Sequence, residues 1–226
     1  MEQYKIGVIG DFNFTFNTHH ATNLALDHAA RFLEVEVSYY WLKVNDVLSM
    51  KSQQLSNYDG FWVAPGPFVN AFFLNGVIDI LMQQNLPVFI TGDGFRNLLE
   101  VLVNKYNLNA NGEKLISDNL IGGTTFERIS ITPSSKVLSH LYEYRSKDEL
   151  TATRYSMYPQ LISALKSEIV DIEAYNQFEE PEIISLKNQV FFVACGFCPQ
   201  ISSTRELPHP LIYTFIRSCG LKQIAI

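Results

Sequence analysis

Apolar and polar positions alternate along this chain in blocks whose period changes. Tyr4–Gly10 is a short apolar run rich in β-branched residues, the pattern of a buried strand. From Thr18 to Leu33 the apolar residues Leu24, Leu26, Ala29, Ala30 and Leu33 recur near helical spacing, and Thr18 is placed to cap that helix. Glu34–Leu42 then alternates Val35, Val37, Tyr39 and Trp41, which predicts a second strand. Tyr58–Ala64 predicts a third strand, Ala71–Gln84 a helix, Pro87–Thr91 a fourth strand and Phe95–Val103 a further helix.

Strands alternating with helices define a parallel, doubly wound α/β sheet, and such sheets hold ligands beyond the carboxyl ends of their strands. Three loops therefore matter most in this half: Gly10–Asn17, Pro65–Asn70 and Gly92–Gly94. The second half changes grammar. Leu120–Ile131 is expected to pair antiparallel with a neighbour, and Pro159–Leu165 to form a short helix. Glu168–Tyr175, Glu182–Leu186 and Gln189–Cys195 are expected as antiparallel strands, with Asn188 in the hairpin between the last two. A closing helix spans His209–Cys219, with Pro210 in its first turn. The expected fold is three-layered: a mostly parallel central sheet flanked by helices, with an added antiparallel β portion in the second half.

Composition adds bounds. Residues 1–226 fit one α/β domain, with 47% hydrophobic and 18% charged residues. A net charge of −6 gives no electrostatic reason to expect nucleic acid or an anionic membrane as partner. No apolar run approaches a membrane span, and three cysteines without framework spacing favour a reducing cytoplasm.

Chemistry concentrates at Pro87–Asn97, read PVFITGDGFRN. A buried strand runs through Gly92-Asp93-Gly94 into a helix, the pattern of a nucleophile elbow. Glycines flank the central residue because the turn leaves no space for Cβ atoms. The helix start directs backbone N–H groups at the same point.

Here the chain resembles the class I glutamine amidotransferases, whose elbow carries a nucleophilic cysteine between glycines. Asp93 stands in the cysteine's place. YDGFWVAPGPF (Tyr58–Phe68) resembles the family's Tyr-Asp-Gly, strand, Pro-Gly-Gly segment, whose glycine loop helps form the oxyanion hole. Pro67 departs from that pattern and has no N–H to donate. VFFVACGFCPQ (Val190–Gln200) resembles the strand that ends in the family's His-Pro-Glu, so Cys198 and Gln200 occupy the positions of the base and its orienting carboxylate. TRYSMYP (Thr153–Pro159) and PHPLIYTFI (Pro208–Ile216) resemble segments of a branch related to the C-terminal, glutaminase region of CTP synthase. The resemblance covers nearly the whole chain. It implies a flavodoxin-like amidotransferase fold and a link to pyrimidine metabolism.

It does not imply the reaction. A carboxylate is a poor nucleophile towards an amide, an unassisted thiol with a pKa of about 8.5 is a poor base, and an uncharged amide cannot stabilise an imidazolium. Two readings of Asp93 stay open. Its carboxylate either fills the former anion site as a structural replacement, or works there in ligand binding or altered hydrolase or transferase chemistry with His19 or His209 as base. The candidate site is thus Asp93, Cys198 and Gln200, with Gly66, Pro67, Gly92, Gly94, Asp11, His19 and His209 as binding residues. The occupant expected is a small polar metabolite or a protein partner. A protein partner includes a second copy of the chain, or a separate synthetase that this chain would serve. No cofactor or metal is expected. The loop after the first strand lacks G-x-G-x-x-G, there is no Walker motif, and Cys195-x-x-Cys198 has no second ligand pair for zinc.

Overall fold

The computed structural model describes residues 2–121, 125–143 and 147–221. Strands are β1 (Gln3–Ile9), β2 (Glu36–Leu42), β3 (Gly60–Val63), β4 (Val88–Thr91), β5 (Glu127–Ser130), β6 (Thr132–Pro133), β7 (Asp148–Thr151), β8 (Val170–Tyr175), β9 (Pro181–Leu186) and β10 (Phe192–Cys195). Helices are α1 (Asn17–Leu33), α2 (Val44–Ser49), α3 (Ser52–Leu55), α4 (Ala71–Met82), α5 (Asp93–Lys105), α6 (Lys136–Leu141), α7 (Pro159–Glu168) and α8 (Pro210–Leu221).

The main sheet runs β2-β1-β3-β4-β10-β9-β8-β6. Its first five strands are parallel, and from β9 onward pairing is antiparallel. A separate ribbon pairs β5 with β7. Neighbouring residues on the central strands bury opposite faces, as a pleat requires. Phe61, Val63, Val88 and Ile90 enter a core with α2, α4, α5 and α7. Trp62 and Phe89 enter the other with α1 and α8. Burial on both faces explains why these strands read as continuous apolar runs. Trp62 is fully buried and satisfies its indole N–H on Thr91 Oγ1 at 3.0 Å.

Several local expectations need correction. The α1 helix starts at Asn17, and Thr18 lies inside its first turn. The approach is organised by Asn13, whose carbonyl accepts Phe16 N–H and whose side chain accepts Thr15 N–H. Of Leu120–Ile131, only Glu127–Ser130 is strand; Leu120 and Ile121 are not, and 122–124 lie outside the described residues. The short α2, α3, α6 and β7 were not legible. Asn188 does take the left-handed turn between β9 and β10, with φ 61°.

Candidate functional site

The turn after β4 is fixed by backbone geometry before any side chain matters. Gly92 has φ 59°, ψ −127°, and its N–H reaches both Cys195 O at 3.0 Å and Phe197 O at 3.2 Å. A Cβ on Gly92 would lie 2.8 Å from Pro65 O, and one on Gly94 would lie 2.8 Å from Ile90 Cγ2. Both glycines are therefore sterically required. Asp93 opens α5, with its N–H bonded to Pro65 O at 3.0 Å, so that donor is already used.

The Asp93 carboxyl faces Gly66, which has φ 88° and precedes a cis peptide bond to Pro67. A Cβ on Gly66 would sit 2.6 Å from Asp93 Oδ2. The other oxygen, Oδ1, is buried and meets no hydrogen-bond partner. Burial pushes the Asp93 pKa above the usual carboxylate range, while the Thr153 hydroxyl and the Arg96 guanidinium pull it back. Arg96 stands one helical turn beyond Asp93, pairs with Glu100 at 3.0 Å and lies over the Tyr155 ring at 5.0 Å.

Cys198 and Gln200 converge on the same place. Cys198 is 2% exposed, and burial, reinforced by the Asp93 charge, pushes its thiol up to about 12 despite opposing help from Gln200 and Ala152. Gln200 is also buried, and neither its amide nitrogen nor its oxygen meets a partner at hydrogen-bonding geometry. The loop is stitched to the end of β7 by Cys198 N–H to Leu150 O at 2.9 Å and by Thr151 Oγ1 to Gly196 O at 2.9 Å. Cys195 closes β10 as a buried thiol pushed well up by burial. Among the described residues, no group of three or more metal-ligating side chains forms.

The histidines sit elsewhere in the network. His19 is buried, and its Nδ1 accepts the Asn13 N–H at 3.0 Å. The proton is therefore on Nε2, which donates to Gly66 O at 3.3 Å. Phe12, Phe16 and Trp41 wall the ring, and burial lowers its pKa. His19 thus ties the loop after β1 to the loop that confines Asp93. His209 is fully buried; Nδ1 accepts Leu211 N–H at 3.2 Å, and Nε2 donates to Glu149 at 2.9 Å. Tyr142 and Ser202 also donate to Glu149, at 3.2 and 2.8 Å. The more exposed His20 reaches Phe14 O at 3.1 Å. Among the described residues, no imidazole bonds Asp93. Asp11 and Pro67 lie at the surface rim of these loops.

Arg96, Thr153 and Tyr155 are the neighbours that sequence reasoning did not select. Arg96 was readable as a first-turn residue three positions after Asp93; Thr153 and Tyr155 carried no local signal beyond the resemblance of their segment.

A mostly parallel sheet with this strand order, a tight β4–α5 turn and the β10 loop meeting at one point have the architecture of a class I glutamine amidotransferase-like domain. No family model matches the chain. It is similar to the CTP synthase of Buchnera aphidicola, 24% identical with 95% of this chain and 45% of that protein covered. It is similar to that of Phytoplasma australiense, 25% identical with 98% and 44% covered. The chain thus spans less than half the length of these relatives. Among solved structures, the glutaminase domain of Trypanosoma brucei CTP synthase, with bound acivicin, superposes with TM-score 0.77 at 16% identity, covering 96% of this chain and 94% of that one. A Thermoplasma acidophilum protein assigned to GMP synthase gives 0.60 at 14%, covering 99% and 97%. The particular likeness is thus to the glutaminase half of CTP synthase. Among the described residues, no helix is long and apolar enough to cross a membrane.

Proposed function

We propose that this domain does not hydrolyse glutamine and that its old reaction centre binds a small polar metabolite. The observation that carries the reading is the group assembled at the β4–α5 turn: a half-buried carboxylate whose Oδ1 is buried and unpartnered, a buried neutral thiol and a buried amide with neither polar atom at hydrogen-bonding geometry to a partner. A thiol at about 12 leaves about one thiolate in 10⁵ molecules at pH 7. Cys198 is therefore neither nucleophile nor base. Asp93 attack on an amide would give an anhydride, with no imidazole placed to assist. Pro67 removes an N–H from the loop that would face a developing oxyanion.

The test compares ammonia release from glutamine by the wild-type chain and by the triple variant Asp93→Cys, Cys198→His, Gln200→Glu. Wild-type protein should stay at the buffer background, and the triple variant should fold. Wild-type turnover above background would overturn the reading.

A further inference from the structure

A second crevice lies beside the Asp93 turn and shares with it the loops after β1 and β3. The β1 strand pairs with β2 on one side and β3 on the other. The helix after β1, α1, packs into one face of the sheet, whereas α2 and α4 pack into the other. The chain therefore diverges between β1 and β3, and the carboxyl ends of these strands open onto a crevice. That is where open α/β sheets place ligands for reasons of topology alone.

A crevice of about 310 Å³ lies beyond the carboxyl ends of β1, β2 and β3, lined by Asp11, Lys43, Asn45, Asp46 and Asn70 with Val44 and Val69. Ligand pockets start at about this volume. At about 30 Å³ per water it holds a guest of about ten non-hydrogen atoms.

The donor and acceptor inventory sets the chemistry. Lys43 shares the crevice with two carboxylates, yet among the described residues it pairs with neither, and Asp11 and Asp46 have no other cation. Asn70 spends its Oδ1 capping α4, accepting Phe72 N–H at 3.1 Å and Phe73 N–H at 3.4 Å. Its amide N–H groups are thereby left as donors. Asp11 and Asp46 offer acceptors for a cation, and Lys43 with Asn70 offers donors for an anion. A guest with a single charge would answer only half of this set.

We propose that the crevice beyond the carboxyl ends of β1, β2 and β3 binds a small zwitterionic amino acid, its ammonium on Asp11 and Asp46 and its carboxylate on Lys43 and the Asn70 amide.

The experiment titrates the isotope-labelled full chain with glycine, β-alanine and 4-aminobutyrate, followed by amide chemical shifts. These probes differ in the spacing of their two charges. At least one should give saturable shifts at Asp11, Asn45 and Asn70. Lys43→Met and Asp11→Asn should each weaken it by about tenfold or more, and both positions tolerate the change because neither is in the core. Ethanolamine and acetate, carrying one charge each, should bind at least about tenfold more weakly. The inference is overturned by the absence of saturable shifts with all three amino acids, by variants that bind like wild type, or by a singly charged probe that binds equally well. Asp93→Asn should leave these shifts intact, so failure at the Asp93 centre and failure here are separable.

Discussion

Gly66→Ala tests the packing argument at the Asp93 turn most directly. Two costs add. The backbone at Gly66 has φ 88°, outside the region an L side chain favours, which costs about 1–2 kcal/mol. The new methyl would also lie 2.6 Å from Asp93 Oδ2, 3.0 Å from its Cβ and 3.2 Å from its Cγ. Overpacking of this kind costs about 1–3 kcal/mol. The sum is about 2–5 kcal/mol, or roughly 5–15 °C in melting temperature for a domain of this size. The two costs separate in a double-mutant cycle. Asp93→Ala removes the contacts to Oδ2 and Cγ but keeps the one to Cβ at 3.0 Å and the backbone conformation. In the Asp93→Ala background, Gly66→Ala should therefore still cost at least about 1–2 kcal/mol, and the coupling energy, which reports the contacts to Oδ2 and Cγ, should be at least about 1 kcal/mol. The assay is reversible urea unfolding of all four proteins. Additive effects, or a single-variant cost below about 1 kcal/mol, would refute the claim that the Asp93 carboxylate fills the space against Gly66.

Three further outcomes follow from the same site. The Asp93 pKa is raised by folding, so its contribution to stability is fully present below the unfolded value of 3.8 and is lost as pH rises through the folded one; Asp93→Asn should be more stable than wild type at pH 7, and this advantage should vanish in denaturation curves taken at acid pH. Glu182 is buried beside Asn176, with its pKa pushed by burial from 4.5 to about 7. By the same sign, wild type should lose stability, on the order of 3 kcal/mol, between those two pH values, and Glu182→Gln should flatten the profile. His19→Leu strands the Asn13 N–H and the Gly66 carbonyl, which should cost about 2–3 kcal/mol; nitrogen NMR of the wild type should find the proton on Nε2 and none on Nδ1 near neutral pH.

The sequence was most readable where burial is two-sided. β1, β3 and β4 announced themselves because both faces are covered and apolar residues dominate each run, with Lys5 inside β1 and Thr91 at the end of β4 as polar exceptions. Gly92 and Gly94 were readable because the turn excludes Cβ atoms, a constraint that leaves its mark in residue type. Short elements such as α2, α3 and α6 were not readable, since six or fewer residues span too little of a helical period to set up a pattern. The composition of the site was half readable. Asp93, Cys198 and Gln200 could be placed by resemblance to ordered motifs. The engagements of His19 and His209 could not, because each depends on a backbone amide and a carbonyl or carboxylate brought in by tertiary folding.

The doubly bonded N–H of Gly92 has a use beyond shaping the turn. It links the end of β4 to the end of β10, elements far apart in the chain that become neighbours only when the antiparallel half docks onto the parallel one. Long-range closure of this kind comes at high loop entropy and so tends to come late in folding. The exchange rate of that single amide proton is consequently a clock for assembly of the site. It should gain protection from solvent at the step in which Asp93 and Cys198 first meet, after β1 and β3 have already begun to retain their own protons.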